Sequence, residues 1–463
     1  MVDLSAVVLA AGEGKRMKSA TSKVLHRACG RPLVYYPVRA AFDAGATRVV
    51  CVLSPRNRQA AERELEHAFG ADRVSIAVQD PPLGTGHAAK IGLEQVQTSQ
   101  VLLLCGDTPL LSAAHLADLF GRLDGAELVL TTTMLDDPTG YGRVLRGADG
   151  RVSAVREHKD LASDHERAVR EINAGVYAAK TDFLRAALAS LKNDNAQGEY
   201  YLTDVVEEAA RVGAADAVLG PARDLLGVND RAQLARAEAL LFERIAERWA
   251  RGGASVQCGA FIDETAVVEP DAVICAAAAL RGRTVVRAGA LVDTGAVITD
   301  SEIGPGARVL PYSVITDSQV AARAQIGPFA HLRPGSVIED EAHVGNFVET
   351  KKTRLGRGAK ANHLAYLGDG EVGERANIGA GTIFCNYDGF RKHQTVIGAG
   401  AFIGSDSQLV APVNIGEGAY VATGTTVTRD VPADALAIGR TKQENKAGYA
   451  SRLRARLSAP KKV

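Results

Sequence analysis

The chain has 463 residues, and its 54 Lys and Arg balance 54 Asp and Glu, so its formal net charge is zero. A chain this long is expected to fold as two or three domains, and its charge gives no indication of a nucleic-acid or membrane partner. The six cysteines contain no CxxC pair, which argues against a disulfide framework or a zinc site and favours reduced thiols in the cytoplasm. The apolar run at 4–11 is too short to cross a bilayer and lacks the basic leader of a signal peptide, so we interpret it as a buried strand.

The N-terminal half alternates two kinds of segment. Short apolar runs, typical of strands buried on both faces of a parallel sheet, lie at 6–9, 48–53 and 101–104. Amphipathic segments with helical spacing lie between them, at 33–44, 57–69 and 112–123. This alternation predicts an α/β domain whose ligands bind at the carboxyl ends of the strands.

A single connecting helix is predicted over 230–251, where apolar residues recur at helical spacing. Asp230 and Gln233 form a capping pair at its start, and Gly252-Gly253 is a stop signal at its end. The expected divisions of the chain are therefore an α/β domain, a linker helix, a repeat domain and a basic tail, at 1–229, 230–251, 252–437 and 438–463.

The repeat domain is predicted from an aliphatic residue at every sixth position. The first run without a slip is Ile262, Val268, Ile274, Leu280, Val286, Val292 and Ile298, and later runs are re-phased. Period six fits neither a helix nor an alternating strand, but it fits a solenoid of short parallel strands that stack aliphatic rungs into one core. The ladder fails between about 349 and 388, a stretch rich in Lys, Arg, His, Asn and Tyr. Such an interruption commonly marks a binding face.

The tail at 440–463 contains eight Lys or Arg and one Glu. It is either a frayed basic end or an arm that meets an anionic ligand.

The first strand ends in a glycine-rich turn, Leu9–Met17, and Lys23 follows nearby. Such a turn lets backbone N–H groups approach phosphate oxygens, while Arg16 and Lys23 offset their charge. The alternative is that the glycines serve the geometry of the turn alone. The turn is not a dinucleotide fingerprint, because Met17 occupies the place of the third glycine in GxGxxG.

Asp107 stands where the strand that begins at Val101 ends, which is a suitable place for a metal that is bound to phosphates. Asp107 could instead cap the following helix, and the same alternative holds for Asn229. His363 has the alternative of a satisfied polar side chain at a coil corner, and Lys351-Lys352 that of a solvated charge pair.

Twelve motifs together resemble one known family. In the N-terminal half they are Leu9–Met17, Pro82–His87, Gly106-Asp107, Tyr141–Arg143, Glu157–Asp160, Glu171–Gly175, Asn195–Asp204 and Gly227–Asn229. In the solenoid they are Phe347–Lys352, Asn362–Asp369, Ala376–Thr382 and Asn386–Gly389. The set resembles the bacterial family of bifunctional N-acetylglucosamine-1-phosphate uridylyltransferases and glucosamine-1-phosphate acetyltransferases. The resemblance implies a Rossmann-like nucleotidyltransferase domain, a left-handed parallel β-helix and a homotrimer with the acetyl site between subunits.

The resemblance also implies the residues of a uridylyl site. Leu9, Ala10, Ala11 and Gly12 would hold the nucleotide, and Gln79, Gly84 and Thr85 would recognise uracil. Arg16, as a catalytic residue, and Lys23 would contact UTP phosphates, while Asp107 and Asn229 would bind Mg²⁺. Gly142, Glu157 and Asn173 would hold the sugar, and Cys105 and Gly106 would complete the site. The sequence departs from the family at Cys105, which replaces a usual tyrosine that has a base- or ribose-side contact. It also departs at Lys15, which replaces a usual threonine and is a candidate for an added phosphate contact.

For the acetyltransferase, the resemblance makes His363 the general base that draws a proton from the glucosamine amine. An imidazole suits this role, because free imidazole titrates near neutral pH. Arg333 and Lys351 would clamp the sugar phosphate, and Tyr366 and Asn377 would hold the sugar. The acetyl-CoA site would comprise Ala380, Asn386, Tyr387, Ser405, Thr423 and Arg440. Thr423 replaces a usual alanine, so a backbone contact is expected there.

The expected function is therefore a two-step synthesis of UDP-N-acetylglucosamine from glucosamine 1-phosphate, acetyl-CoA and UTP, with Mg²⁺ and without nucleic-acid or membrane partners. One alternative makes the solenoid a structural or regulatory module, as in nucleotidylyltransferases whose short hexapeptide domain only assembles subunits. Another is a related enzyme that uses a different nucleotide or sugar.

Overall fold

A computed structural model describes residues 3–225 and 227–458 of the chain. The contacts within it divide the chain into two compact units, with the division between Ile245 and Ala246. The last residues of the predicted basic tail, 459–463, lie outside the described residues. Each unit is built around its own core.

The first unit contains eleven described strands. They are β1 (Leu4–Ala10), β2 (Arg27–Ala28), β3 (Arg31–Pro32), β4 (Arg48–Leu53), β5 (Val74–Val78), β6 (Gln100–Cys105), β7 (Leu128–Met134), β8 (Arg143–Arg146), β9 (Val152–Arg156), β10 (Glu171–Lys180) and β11 (Ala215–Leu219). The main sheet has the order β11-β7-β10-β6-β1-β4-β5, with β8 and β9 beside β10.

Nine described helices accompany this sheet. They are α1 (Tyr35–Asp43), α2 (Arg58–Phe69), α3 (Thr85–Leu93), α4 (Ala113–Gly121), α5 (Asp164–Ala168), α6 (Thr181–Ser190), α7 (Asp204–Arg211), α8 (Ala222–Leu225) and α9 (Arg231–Arg251).

The predicted apolar runs form the centre of the main sheet. β1 pairs in parallel with β4 and β6, and the inward residues of all three are fully buried. Helices cover both faces, because β1 and its neighbours contribute to two separate apolar clusters, one on each side of the sheet. The three predicted strands are parallel as expected, whereas the sheet as a whole is mixed, since β10 runs antiparallel to both β6 and β7.

Helix α9 begins as its sequence predicts. The side chain of Asp230 accepts a hydrogen bond from the backbone N–H of Gln233 at 2.8 Å, which satisfies a free donor of the first turn. The Gln233 side chain in turn accepts from the N–H of Asn229 at 2.7 Å. The helix ends at Arg251, and Gly253 follows with a φ of +95°, a conformation that glycine adopts without strain.

Among its described residues, the second unit contains thirty short strands on three faces of a coil. The first face comprises Ser255–Val256, Val273–Ile274, Leu291–Val292, Arg308–Val309, Gln325–Ile326, His343–Asn346, Lys360–His363, Asn377–Ile378, Phe402–Ile403, Tyr420–Val421 and Leu436–Ala437. The second face comprises Phe261–Ile262, Ala279–Arg281, Val297–Thr299, Val314–Thr316, His331–Leu332, Glu349–Lys351, Tyr366–Gly368, Ile383–Cys385, Gln408–Val410 and Thr426–Val427. The third face comprises Val267–Val268, Val285–Val286, Glu302–Ile303, Gln319–Val320, Val337–Ile338, Arg354–Leu355, Gly370–Val372, Thr395–Ile397 and Val413–Ile415.

Each strand pairs in parallel with the strand one coil away, so the aliphatic rungs stack as predicted. Ile262 is in register with Leu280, and Leu280 with Ile298, so one coil here comprises three hexapeptides. The next coil is one residue shorter, because Ile298 is in register with Ile315. The re-phasing seen in the sequence is therefore the loss of one residue at a corner, without a break in the coil.

The predicted failure of the ladder between 349 and 388 is wrong for most of that stretch. Strands continue on all three faces, and Thr350, Ala361 and Phe384 are buried where aliphatic residues stand elsewhere. The chain leaves the coil only after Cys385, which is still in register with Val410 on the same face. Residues 386–394 form a loop outside the coil, and the next strand, Thr395–Ile397, returns to it.

Beyond the last coil, a helix α10 (Tyr449–Ser458) follows with no buried residue. Among the described residues, no helix is long and apolar enough to cross a membrane.

Candidate functional site

The first unit contains a cavity of about 730 Å³ at the carboxyl ends of β1 and β6. Twelve of the residues predicted for the uridylyl site line it: Leu9, Ala10, Ala11, Gly12, Arg16, Lys23, Gln79, Gly84, Thr85, Cys105, Asp107 and Asn229. Its other lining residues are Glu13, Gly14, Lys15, Val24, Pro82, Ala88, Gln197 and Glu199. Predicted residues from distant parts of the first unit therefore meet at one opening.

Oxygens of Asp107 and Asn229 converge on one ammonium group in this cavity. Lys23 Nζ donates to Asp107 Oδ2 and, at 3.1 Å, to Asn229 Oδ1. Arg16 Nη2 also donates to Asn229 Oδ1, at 2.8 Å. Neither oxygen-bearing side chain caps a helix, because Asp230 caps α9 and Ser112 caps α4. Helix capping therefore does not account for either side chain.

Glycines permit the approach of the two segments that carry these oxygens. The N–H of Gly106 donates to the carbonyl of Leu9 at 2.9 Å, so β6 ends directly beside the glycine-rich turn. The N–H of Val228 donates to the carbonyl of Asp107 at 2.8 Å. A Cβ on Gly227 would lie 3.1 Å from both carboxylate oxygens of Asp107, so a side chain there would require the carboxylate to move by a few tenths of an ångström.

Gly14 determines how closely Lys23 approaches the turn. Its φ is +64°, a left-handed conformation that a residue with a Cβ adopts only at a cost. A Cβ on Gly14 would also lie 2.5 Å from the Cβ of Lys23. Gly12, by contrast, has open space within 4 Å and an ordinary φ. Geometry alone therefore explains one glycine of the turn but not the other.

The residues predicted to recognise uracil are held together by backbone contacts. Gln79 is buried, and its Nε2 donates to the carbonyl of Gly84 at 2.9 Å. Thr85 Oγ1 accepts from the N–H of Leu202 at 3.1 Å. A Cβ on Gly84 would lie 2.6 Å from the carbonyl oxygen of Tyr200, so the segment around Tyr200 packs directly on this loop.

The three residues predicted for the sugar form a cluster of their own and do not line the cavity. The carbonyl of Gly142 accepts from the N–H of Asn173 at 3.0 Å, and a Cβ on Gly142 would lie 3.5 Å from Glu157 Oε1. Glu157 Oε1 also accepts from the hydroxyl of Thr203 at 3.1 Å. Burial raises the pKa of the Glu157 carboxyl, and the Thr203 hydrogen bond opposes this rise.

Cys105 connects the cavity with this cluster. It lines the cavity, and its Sγ donates to the carbonyl of Gly175 at 3.3 Å, two residues after Asn173. Burial and, to a smaller extent, the nearby Asp107 carboxylate raise the pKa of the Cys105 thiol to about 12. The thiol is therefore protonated at neutral pH and acts as a hydrogen-bond donor, and not as a nucleophile.

The oxygens of Asp107 and Asn229 fit a hard cation. A carboxylate and an amide oxygen that already share one cationic group have the ligand chemistry that Mg²⁺ prefers. Within residues 3–225 and 227–458, no three His, Cys, Asp or Glu side chains come together as a metal site. A cation bound here would therefore need further oxygens from a substrate or from water.

The second unit places the predicted base in a column at one corner of the coil. We call the turns between the first and second faces the first corner, and its column comprises Asn346, His363, Ala380, Ser405 and Thr423. Each of the first four members is connected to the following coil by a backbone hydrogen bond. The carbonyl of Asn346 accepts from the N–H of Leu364, and the series ends with the carbonyl of Ser405, which accepts from the N–H of Gly424. Arg440 Nη1 donates to the carbonyl of Thr423 at 2.5 Å. Four of the six residues predicted for acetyl-CoA thus extend in a line from His363.

A group of cations lies at the next corner, where the second face meets the third. Arg333 Nη1 donates to Glu349 Oε1 at 2.7 Å, which raises the pKa of Arg333. The neighbouring Lys392 and, to a smaller extent, burial lower the pKa of Lys351. Like charges repel, so two neighbouring ammonium groups indicate a place where an anion would be stabilised.

Residues beside this cation group carry the remaining predictions. Asn386 is buried, and its Nδ2 donates to Asp369 Oδ2 at 2.6 Å. A Cβ on Gly368 would lie 2.5 Å from the hydroxyl of Tyr366 and 2.6 Å from Asn386 Nδ2, so both side chains converge over that glycine. Tyr387 is exposed in the loop 386–394, and its hydroxyl donates to the carbonyl of Gly389 at 2.6 Å.

One chain does not bring all these residues to one place. Arg333, Lys351, Tyr366, Asn386 and Tyr387 lie at or toward the second corner. Asn377 is on the first face, in register with Lys360 and Phe402. The residues predicted for the acetyl site are therefore divided among the first face, the first corner and the second corner.

Sequence reasoning missed two residues that hold predicted site residues in place. Tyr177 is fully buried, and its hydroxyl accepts from Asn173 Nδ2 at 2.6 Å. Asn346 Oδ1 lies 2.8 Å from His363 Nδ1. Regular alternation in β10 does not explain the Asn173–Tyr177 contact, because the register of β10 with β7 shifts between these two residues. The solenoid period could have indicated that Asn346 lies one coil before His363.

Comparisons with known proteins agree with the two-unit division. A model of the MobA-like NTP transferase domain family matches residues 6–173. A model of the bacterial transferase hexapeptide, in six repeats, matches residues 394–429. The predicted fold class, an α/β nucleotidyltransferase domain followed by a left-handed parallel β-helix, is confirmed.

The chain is also similar to curated proteins over nearly its whole length. It is 59% identical to Bifunctional protein GlmU of Sorangium cellulosum, over 98% of this chain and 97% of that protein. The protein of the same name from Pelobacter propionicus is 46% identical, over 98% and 99% respectively. That from Anaeromyxobacter sp. strain Fw109-5 is 50% identical, over 98% and 93%.

Proposed function

The chain belongs to the family of bifunctional GlmU proteins, and we propose that it makes UDP-N-acetylglucosamine in two steps. Residues 252–437 transfer the acetyl group of acetyl-CoA to glucosamine 1-phosphate. Residues 1–229 then transfer a uridylyl group from UTP to N-acetylglucosamine 1-phosphate and release pyrophosphate. The enzyme is thus both an acyltransferase and a nucleotidyltransferase. The observation that carries this function is that the family match spans both units while each unit has its own polar site.

The uridylyl step needs positioning and charge neutralisation more than it needs a base. The sugar phosphate oxygen is already an anion, and it attacks the α-phosphate of UTP in line with the departing pyrophosphate. Arg16 and Lys23 in the cavity offset the charge of the phosphates. Leu9–Gly12 present backbone to the nucleotide, Gln79, Gly84 and Thr85 bind uracil, and Gly142, Glu157 and Asn173 hold the sugar beside the Cys105 thiol.

Asp107 and Asn229 would hold Mg²⁺ in this proposal, and the ion would supply positive charge at the phosphates. The convergence of their oxygens on Lys23 supports it. Lys23, which donates to both oxygens in this structure, would then be available to contact the UTP phosphates. The test is to titrate the intact protein with Mg²⁺ and measure its thermal midpoint, which rises with Mg²⁺ and UTP in the natural chain but not in D107A.

His363 is the general base of the acetyl step. The amine of glucosamine 1-phosphate attacks the thioester carbonyl while the imidazole takes its proton. Arg333 and Lys351 bind the sugar phosphate, and Tyr366 and Asn377 bind the sugar. Acetyl-CoA extends along the first corner past Ala380, Ser405 and Thr423 to Arg440, with Asn386 and Tyr387 completing the site. The stacked column supports this path, because it offers one exposed edge that leads away from His363.

A homotrimer completes the acetyl site. His363 and the cation group lie at opposite ends of the second-face strands, so a second subunit is needed to bring the two together. Exposed rings of Tyr312, Phe329 and Phe347 stack at 5.5 and 5.4 Å along the first corner, and apolar surface of this kind is typical of a subunit contact. Sedimentation equilibrium is expected to give three times the chain mass of 48.6 kDa.

We infer a cytoplasmic location, where UTP and acetyl-CoA are available.

Two variants separate this function from its alternatives. H363A is expected to lose acetyl transfer and to keep uridylyl transfer, and D107A is expected to do the reverse. Mass spectrometry of the products from glucosamine 1-phosphate, acetyl-CoA, UTP and Mg²⁺ identifies the sugar and the nucleotide. If no coenzyme A is released, the solenoid is structural or regulatory. If another nucleotide is used in preference to UTP, the family assignment of uracil recognition fails.

A further inference from the structure

Asn346 and His363 occupy equivalent positions in consecutive coils of the first corner. They are partners in the parallel ladder of the first face, and His363 Nδ1 lies 2.8 Å from Asn346 Oδ1. The carbonyl of Asn346 also accepts from the N–H of Leu364 at 3.1 Å. The backbone thus fixes both residues before their side chains meet.

This hydrogen bond determines where the imidazole carries its proton. An amide oxygen can only accept, so Nδ1 carries the hydrogen and Nε2 has the free lone pair. Across the part of the chain that the structure describes, the Asn346 contact is the sole hydrogen bond of the His363 ring. His363 is exposed, so the lone pair of its Nε2 is available to a substrate. Asn346, which supports the ring, is half-buried.

The fold makes this pairing possible through a close approach of the two coils. A side chain on Gly345 would overlap the carbonyl of Asn362, so only glycine fits directly before Asn346. Phe347, directly after it, turns the corner with a φ of +55°. The backbone of Asn346 is therefore fixed on both sides, by the close approach of Gly345 to Asn362 and by the turn at Phe347. This limits the orientations of the Asn346 side chain.

We propose that Asn346 is a positioning residue of acetyl transfer, which holds the imidazole of His363 with Nδ1 protonated and Nε2 ready to accept a proton. This inference rests on the proposed role of His363 as the base. The substrate nitrogen forms a C–N bond with the acetyl carbon, and Nε2 takes one N–H proton. The C–S bond then breaks, and Nε2 returns the proton to the departing thiolate of coenzyme A. Asn346 touches no reacting atom in this sequence.

Titratable neighbours of the ring must be considered in any test by pH. His343 lies on the same face as His363, and burial, then Lys360, then His363 lower the pKa of His343. The charges of His343 and His363 therefore affect each other. A further imidazole, that of His393, lies beside the predicted acetyl-CoA residues, where its Nε2 is 2.7 Å from Asp388 Oδ2. The variant H343Q separates the contribution of His343 from that of the Asn346–His363 pair.

The test is the pH profile of acetyl transfer in the full-length protein, followed by coenzyme A release. In N346A the ring loses its support, and kcat is expected to fall by about 10-fold or more, since a general base contributes about 10²- to 10⁴-fold. The KM for acetyl-CoA should change by less than about 2-fold, because Asn346 contacts the ring and not the substrate. In N346D a carboxylate replaces the amide and stabilises the imidazolium, so the acid limb of kcat/KM is expected to move up by about one pH unit. A purely structural role for Asn346 would not move that limb.

Two controls make the outcome decisive. N414A removes an exposed asparagine elsewhere on the solenoid, where it bonds to Asp430, and is expected to leave the profile unchanged. Uridylyl transfer in every preparation reports whether the protein is folded. The inference is overturned if N346A stays within twofold of the natural kcat and N346D keeps its acid limb while H363A is inactive. If H363A itself retains full acetyl transfer, it is the proposed base that fails.

Discussion

At the scale of single residues, the glycine-rich turn gives the sharpest prediction, because Gly14 must allow Lys23 to reach the cavity. G14A forces a left-handed φ on alanine and a contact with the Lys23 side chain. The left-handed conformation alone costs about 1–2 kcal/mol. We expect G14A to lower kcat/KM of uridylyl transfer at least 10-fold and to lower the urea midpoint of the first unit, with acetyl transfer unchanged.

The matched control for this variant is G12A. Gly12 has no positive φ, and no protein atom lies within 4 Å of the position a Cβ would take. The urea midpoint of G12A should therefore equal that of the natural protein. G12A still obstructs the nucleotide if backbone approach is needed at Gly12. A G14A protein with natural activity and stability would show that the turn adapts without moving Lys23.

A second residue-scale prediction concerns Glu157, whose pKa is raised by burial. Its carboxyl ionises less readily in the folded protein than in the unfolded chain, so the ionised form is destabilising above the folded pKa. This penalty disappears as the pH falls below the unfolded pKa, where both states are protonated. E157Q should therefore unfold at a higher urea concentration than the natural protein at pH 8, with the difference vanishing near pH 4. Its KM for the sugar phosphate is expected to rise about 10-fold, since a charged hydrogen-bond acceptor is lost.

An unchanged KM in E157Q would remove Glu157 from the sugar site and leave only its effect on stability. T203V, which loses the hydroxyl that donates to Glu157, is the comparison. It removes the contact that opposes the rise in pKa, so it should destabilise the protein at pH 8.

At the scale of elements, the solenoid was predictable because its core tolerates little variation at each rung. Period six indicated the stacked strands from Ile262 onward, and the lost residue at some corners explains the changes of phase. The stretch from 349 to 388 was misjudged because the pattern counted only large aliphatic residues. Thr350 can be buried because its hydroxyl shares a hydrogen bond of 2.8 Å with the hydroxyl of Ser336. Ala361 is buried as a small apolar residue. Neither is visible as a rung in the sequence.

The candidate sites were predictable in their parts but not in their arrangement. Family motifs indicated His363 and the acetyl-CoA residues, and the coil then places His363 and four of the others along the first corner. The Asn346 contact depends on the length of the coil at that place, because the register there pairs Asn346 with His363. A coil longer by one residue would place Gly345 opposite His363 and leave the imidazole without a partner. Coils of both lengths occur in this solenoid, so the periodicity alone does not determine the pairing.

The rungs themselves give the prediction at this scale. Ile298 is fully buried and in register with Leu280 and Ile315. I298A is expected to lower the free energy of unfolding by about 2–5 kcal/mol, because it removes packed methyl groups and leaves a cavity between two rungs. V314A, at an outward position that is 38% exposed, should cost well under half as much. Urea unfolding followed by far-UV circular dichroism measures both, and equal effects would contradict a core built from stacked rungs.

At the scale of the whole molecule, the overall charge balance is repeated locally. The chain has no net charge, although all its proposed substrates are anions. In the cavity of the first unit, the cations are matched by carboxylates: its lining includes Lys15, Arg16, Lys23, Glu13, Asp107 and Glu199. A phosphate in this cavity is therefore held by individually placed cations and not by a broad basic field.

The two activities should also be separable between molecules, because the described sites share no residue. D107A alone is expected to stop at N-acetylglucosamine 1-phosphate, and H363A alone to leave glucosamine 1-phosphate unchanged. An equimolar mixture of the two variants should make UDP-N-acetylglucosamine after a lag, while the intermediate accumulates in solution to the KM of the uridylyl site. Mass spectrometry of timed samples follows the lag, and added N-acetylglucosamine 1-phosphate should abolish it. A mixture that makes no nucleotide sugar, although each variant retains its own half-reaction, would mean that the intermediate does not pass through solvent.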